Sequence, residues 1–285
     1  MKTDKETTKI KVSTKINSPI NIVWNVFTDA NHITQWNFAS EDWFCPIATN
    51  PLEVNKEFSW RMEAIDGSMG FDFNGTYQNI DVNKLIEYKI EDGRKVSISF
   101  LSDGETTEII EVFEPESTNP LELQQQGWQA ILNNLKRYAE SQNNLKRQFY
   151  DIEINSNPET VYKALLNKET YGKWASVFSP GADYEGNWET GSLITFTGTD
   201  NDGKQSQMHS KVIKSIPDRL IILEHQGMSN DDSSWNGAKE IYTLIDRKGS
   251  TFLRVAMDTT PDYIEFFSKK WPKALKEIKS LSESK

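Results

Sequence analysis

Ile16-Asn17-Ser18, followed by Val23, Trp24 and Phe27 and then by Trp36, is answered further along the chain by Ile154-Asn155-Ser156, Val161, Tyr162, Leu165 and Trp174. Both ends of the match move by the same 138 residues, from 16 to 154 and from 36 to 174. Beyond them the match drifts but persists. Asp66-Gly67 is answered by Asp202-Gly203, Lys84-Leu85-Ile86 by Arg219-Leu220-Ile221, and Trp128, Leu132 and Leu135 by Trp271, Leu275 and Ile278. A solenoid repeats every few tens of residues, so a repeat this long is a duplicated domain. A chain of 285 residues has room for two domains, each with its own core. The short polar Asn143-Asn144 is the expected boundary, giving residues 1–143 and 144–285.

Each half reads in one order: strand, helix, several strands, long helix. From Lys9 to Ile16 apolar and polar residues alternate, the pattern of a half-buried strand. Ser18 is placed to cap a helix whose first residue is Pro19, and Asn157-Pro158 stands in the same place in the second half. Phe58, Trp60 and Met62 share one strand face, with Ser59, Arg61 and Glu63 on the other. Alternation continues at Phe71, Phe73, Gly75 and Tyr77, at Ile86, Tyr88 and Ile90, at Val96, Ile98 and Phe100, and at Ile110 and Val112. A closing helix over 121–140 carries Trp128, Ile131, Leu132, Leu135 and Tyr138 as one stripe. In the second half, strands are expected over 193–196, 208–213, 220–223, 241–245 and 252–257, and a closing helix over 261–281. Pro272 is expected to kink that helix or to mark its start near Lys270. A curved sheet and a straight helix diverge along their length, and the gap is filled by large side chains or left as a cavity.

The net charge of −10 argues against nucleic acid or an anionic membrane surface as a partner, since both need a basic face. The single cysteine, Cys45, excludes an internal disulfide and a thiolate-rich metal site, and its aromatic neighbours Trp43 and Phe44 suggest a buried, inert thiol. Met1 to Glu6 lacks the apolar core of a signal peptide, and no apolar run approaches the length of a membrane span. The expectation is a cytoplasmic protein. His32, His209 and His225 are spread over both halves without metal-ligand spacing, and His209 is read as a surface residue. No nucleophile elbow or phosphate-binding glycine loop is present. No cofactor or metal site is expected. Arg61, Glu63 and Asp72 are read as solvated, opposite the aromatic stripes.

The stretch from Phe58 to Tyr77, with Gly127-Trp128 followed by Leu132 and Leu135, resembles the bacterial homologues of the activator of heat-shock-protein-90 ATPase. Those proteins belong to the START-like (SRPBCC) superfamily. Tyr184-Glu185-Gly186-Asn187-Trp188 with Gly191-Ser192, and Glu224-His225-Gln226-Gly227, are similar to another branch of the same family. The resemblance covers nearly the whole chain. One departure is Asn55-Lys56-Glu57, where many relatives carry Gly-Gly. The implied fold is α+β: two tandem helix-grip domains, each a curved antiparallel sheet wrapped around a long C-terminal helix.

The functional expectation is non-catalytic binding of a small hydrophobic or aromatic molecule. The alternatives are a co-chaperone-like protein-interaction module and an aromatase/cyclase-like enzyme, an activity some members of the superfamily have. A roomy pocket favours binding, an exposed apolar patch favours interaction, and a polar pair deep in a cavity favours catalysis. The ligand-binding candidates are Trp36, Trp43, Phe44, Phe58, Trp60, Phe71, Phe73, Tyr77 and Trp128, because rings offer large contact area and Trp N–H and Tyr O–H fix orientation. Phe58 and Trp60 are aligned with Leu193 and Thr195, which makes the first half richer in rings and the preferred site.

Overall fold

Ile10, Val12 and Ile16 turn inward from β1 (Ile10–Ile16), while Lys11, Ser13 and Lys15 face water. This alternation builds both sheets. The computed structural model describes residues 8–199, 203–228 and 233–284. Asp202 of the expected second-half turn and the stretch Met1 to Glu6 lie outside the described residues. The chain divides into two units, Met1–Asn143 and Asn144–Lys285.

In the first unit β1 is followed by α1 (Ile20–Thr28), α2 (Ala30–Ile33), β2 (Trp43–Thr49), β3 (Glu57–Ala64), β4 (Gly70–Asp81), β5 (Leu85–Ile90), β6 (Lys95–Ser102), β7 (Thr107–Phe113) and α3 (Leu121–Ser141). The strands form one curved antiparallel sheet in the order β1-β7-β6-β5-β4-β3-β2. The second unit repeats the plan with β8 (Lys146–Ile154), α4 (Pro158–Leu166), α5 (Lys168–Ala175), β9 (Asp183–Gly186), β10 (Leu193–Thr199), β11 (Gln205–Ile216), β12 (Leu220–Met228), β13 (Lys239–Asp246), β14 (Thr251–Thr259) and α6 (Ile264–Glu283). Its order, β8-β14-β13-β12-β11-β10-β9, is the same circuit. Leu132 and Leu135 of α3 and Trp271, Leu275 and Ile278 of α6 are buried in the cores of their own units. These are the α+β helix-grip domains that the resemblance implies.

Several local readings are corrected. Ser18 does not cap α1. The helix starts at Ile20 behind Pro19, and the fully buried Ser18 instead bonds the Ala139 carbonyl of α3 at 3.4 Å. Asn157 does cap α4, accepting from the Thr160 N–H at 2.9 Å with Pro158 at the first position. The stretch around Cys45 is a strand, β2, at the sheet edge. A register shift between Phe44 and Ile47 buries both Cys45 and Pro46, and an edge with a bulge is where a strand accepts proline. Phe71 keeps the alternation but sits beside the β3–β4 turn, where it is exposed with Trp43 as its ring partner at 5.7 Å. α6 begins at Ile264 after a short 3₁₀ turn, Pro261–Tyr263, so Pro272 lies inside the helix. Pro272 is on the exposed side, where water can satisfy the Ser268 carbonyl that proline leaves free.

The largest correction is on β7. Its inward residues are Thr107, Ile109, Glu111 and Phe113, not Ile110 and Val112. Glu111 lies between Val12 of β1 and Ile98 of β6 on the inner face and is 6% exposed. Burial pushes its carboxyl up to about 8. It also helps to push the buried Tyr88 phenol well above its ordinary value, after burial itself.

Register also corrects the alignment of the halves. In the first sheet Phe58 pairs with Gly75 and Gly75 with Ile90; in the second Ile194 pairs with Ser210 and Ser210 with His225. Phe58 therefore matches Ile194, and Trp60 matches Phe196. The matching to Leu193 and Thr195 is one residue out, and a one-residue slip exchanges the two faces of a strand. Leu193 is 66% exposed while Ile194 is buried.

Candidate functional site

Phe58, Trp60, Phe73, Tyr77 and Trp128, five of the nine candidates, come together in the first unit, and they pack on one another. Phe58 stacks on Trp60 with centroids 4.6 Å apart and meets Tyr77 at 5.1 Å and Tyr88 at 5.0 Å. Phe73 joins Trp60 at 5.6 Å and Trp128 at 6.2 Å, and Trp128 stacks on Phe113 at 3.9 Å. Both polar handles are engaged, since Trp60 Nε1 and the Tyr77 hydroxyl each donate to Asn50 Oδ1, at 3.3 and 2.6 Å. Trp36 belongs to a different part of the core, against Phe27, and donates to the Val26 carbonyl. Trp43 and Phe71 pair near the β3–β4 turn, and Phe44 is half-buried on β2. A hollow of about 350 Å³ in this unit is bordered by Asp72, Asn74, Glu91, Asp92 and Arg94. Arg94 is paired with Asp92 at 2.8 Å and Asn74 with Glu91 at 3.1 Å.

The roomier chemistry is in the second unit. Where the first sheet has Phe58, Gly75, Ile90 and Val96, the second has Ile194, Ser210, His225 and Glu240. In the first sheet the Phe58 ring occupies the space over Gly75, so close that a Cβ there would lie 2.5 Å from Phe58 Cζ. Ile194 is smaller and aliphatic, and a cavity of about 380 Å³ opens between the sheet, α5 and α6. Trp174 of α5, Phe196 of β10, Met257 of β14, Trp235, and Phe267 and Trp271 of α6 form much of its wall. The two central indoles are fixed by hydrogen bonds, Trp174 Nε1 to the Leu165 carbonyl at 3.2 Å and Trp271 Nε1 to Met257 Sδ at 2.7 Å.

His225, Glu240 and Tyr242 face the same cavity. His225 Nδ1 lies 2.8 Å from Ser210 Oγ, and its Nε2 lies 3.5 Å from Glu240 Oε2. The Tyr242 hydroxyl donates to Glu240 Oε1. Burial, then Glu240, hold the Tyr242 phenol well above its ordinary value, so it remains a donor. Nε2 is placed to direct an N–H toward the Glu240 carboxylate, and Nδ1 lies within hydrogen-bond distance of the Ser210 hydroxyl. Ser210 is 1% exposed and does not line the cavity. It orients His225 and is shielded from any ligand. The cluster thus offers a carboxylate that accepts from Tyr242 and faces His225, in the wall of a largely aromatic cavity.

Sequence reasoning quoted His225 as part of a motif and missed its direction. Ile221, Leu223 and His225 alternate inward along β12, which places the imidazole inside. His209 is exposed and meets Thr195 Oγ1 at 3.2 Å on the outer face. Arg61 is paired with Glu63 at 3.0 Å and Asp72 at 3.5 Å, on the outer face of the first sheet. Among the described residues no group of three or more His, Cys, Asp or Glu is placed to hold a metal ion. No helix among them is long and apolar enough to cross a membrane.

Several solved structures are similar to this chain. An AHSA1-like protein from Aeromonas hydrophila is 37% identical over 47% of this chain and 93% of its own, with a TM-score of 0.45. Chr148 from Cytophaga hutchinsonii is 50% identical over 47% of this chain and 92% of its own, with a TM-score of 0.42. The di-domain ARO/CYC BexL from the BE-7585A biosynthetic pathway is 10% identical over 98% of this chain and 99% of its own, with a TM-score of 0.45. No curated protein matches the sequence. The model of the family described as activator of Hsp90 ATPase homolog 1-like protein matches residues 17–140 and again 155–283. With both units matched, the chain belongs to that family, as a tandem pair of START-like domains.

Proposed function

We propose that this chain binds a small, largely apolar or aromatic molecule and that the cavity of the second unit is its site. The fold supports a ligand-binding or co-chaperone-like module. The observation that favours binding is the cavity of about 380 Å³, lined largely by rings and by His225, Glu240 and Tyr242. Ligand sites commonly have this volume range and this mixture of apolar wall and few convergent polar groups. The first unit is the weaker candidate, because its rings fill the matching space and Asn50 engages two of its polar handles. A second reading, acid–base chemistry on the bound molecule, is favoured by the His225–Glu240 pair. The absence of Ser210 from the lining argues against acyl transfer through it.

Native mass spectrometry of the freshly purified full chain, with thermal shift and Trp fluorescence against a panel of aromatic molecules, tests the proposal. Binding is expected, and Phe267→Ala should weaken it while Trp60→Phe leaves it unchanged. No co-purifying molecule and no binding across the panel would sink this reading and favour a protein partner. Turnover of a panel member would move the assignment to the enzyme reading.

A further inference from the structure

We propose that the molecule held in the second-unit cavity is an organic cation, an ammonium group on an apolar or aromatic body. The proposal rests on the cavity being a binding site and names the class of ligand that its charges select. The first observation is the charge of the lining. Among the described residues Glu240 is its one carboxylate, and no Lys or Arg of theirs lines the cavity. Lys270, on α6 itself, is not among the lining residues; it donates to the Val177 carbonyl at 2.7 Å and lies 5.5 Å from the Phe266 ring centroid.

The second observation is how Glu240 is held. It receives the Tyr242 hydroxyl and faces Nε2 of His225, whose other nitrogen is taken by Ser210. The Tyr242 hydroxyl and the His225 ring fix the position of the Glu240 carboxyl group. Its carboxylate borders a cavity with a largely apolar lining, where a charge acts more strongly than in bulk water. An anionic guest would be stripped of water beside a like charge with no Lys or Arg to receive it.

The third observation is the wall. Trp174, Phe196, Trp235 and Trp271 present π-systems to the same space. Ring faces attract cations, Trp most strongly, and aromatic cages are a common means of holding quaternary ammonium groups. A carboxylate in a largely aromatic lining matches a guest with a charged head and an apolar body. A neutral guest would use the rings and gain no attraction from the carboxylate.

Three probes of nearly one shape test this on the full chain by calorimetry and Trp quenching: (naphthylmethyl)trimethylammonium, its neutral carbon isostere neopentylnaphthalene, and naphthylacetate. The cation should bind at least about tenfold more tightly than the neutral isostere, and the anion should not bind measurably. Glu240→Gln keeps the shape, so the cation's advantage should collapse while affinity for the neutral isostere changes less than about twofold. That second affinity also reports whether the variant's cavity is intact. Equal or tighter binding of the neutral isostere to the unaltered chain would overturn the cation proposal and leave the binding site standing. An advantage that survives Glu240→Gln would overturn the role of Glu240. If none of the three binds, the site assignment falls and this proposal with it.

Discussion

Replacing Glu111 by Gln should stabilise the first unit, and increasingly so as the pH rises. Glu111 sits on the inner face of β7 between Val12 and Ile98, 6% exposed, with its carboxyl moved by burial from 4.5 to about 8. The folded chain therefore keeps the proton where the unfolded chain has lost it. Stability falls with pH wherever the folded state binds more protons than the unfolded one. The favourable contribution of the neutral carboxyl is complete below about 4.5 and is lost progressively up to about 8. Each pH unit in that window costs about 1.4 kcal/mol, so the whole interval is worth on the order of 5 kcal/mol. At pH 7 the accumulated cost is about 3 kcal/mol on the same basis.

A glutamine amide has the shape of the neutral carboxyl and no proton to lose. Glu111→Gln should therefore match the unaltered chain near pH 5, lead it by about 3 kcal/mol at pH 7, and lead it by more at pH 9. Hydrogen exchange of the β1, β6 and β7 amides, corrected for intrinsic rates, reads this in the full chain. Glu111→Val is a second test, because Val255 stands at the corresponding place in the second unit: Val12 pairs with Glu111 as Tyr150 pairs with Val255. Protection that follows the same pH course in all three proteins, within about half a kcal/mol, would refute the argument.

Two further outcomes are expected. Leu132 is 1% exposed beneath the first sheet, so Leu132→Ala should cost about 2–5 kcal/mol in denaturant unfolding; a loss below half a kcal/mol would remove Leu132 from the core. Each unit has its own sheet and closing helix, so chains cut between Asn143 and Asn144 should each unfold cooperatively, and two fragments without a sharp transition would contradict independent folding.

Strands with clean alternation were legible from the sequence, because one face of each meets a core and the other meets water. Phe58-Trp60-Met62 and Val96-Ile98-Phe100 are buried as read. β7 was misread because its inward face contains a carboxylate while its outward face carries Ile110 and Val112, which inverts the usual hydropathy cue. β2 was missed because Cys45-Pro46 interrupts its alternation at a bulge. The first-unit ring cluster was visible as composition, but whether rings line a space or fill it depends on volumes across strands. Gly75 decides that point: without a side chain there, the Phe58 ring settles onto the sheet. His225 and Glu240 lie fifteen residues apart in sequence, on the neighbouring strands β12 and β13, so only the pairing of those strands shows them as one site.

The duplication supplies its own control on what a buried acid does. Both units carry a glutamate on the inner face, at unrelated positions: Glu111 on β7 and Glu240 on β13. Glu111 stands between apolar strands, and the response there is protonation, which turns the acid into a cost that grows with pH. Glu240 stands at a cavity wall with Tyr242 and His225 directed at it. The corresponding residues, Val255 for Glu111 and Val96 for Glu240, are valines, so the common scaffold requires an acid at neither place. An acid that the fold does not require, supported by Tyr242 and opening into a largely aromatic cavity, is the group on which the proposed cation binding rests. The same reasoning leaves Glu111 without a ligand to explain it, which is why its removal is expected to stabilise the first unit rather than to abolish binding.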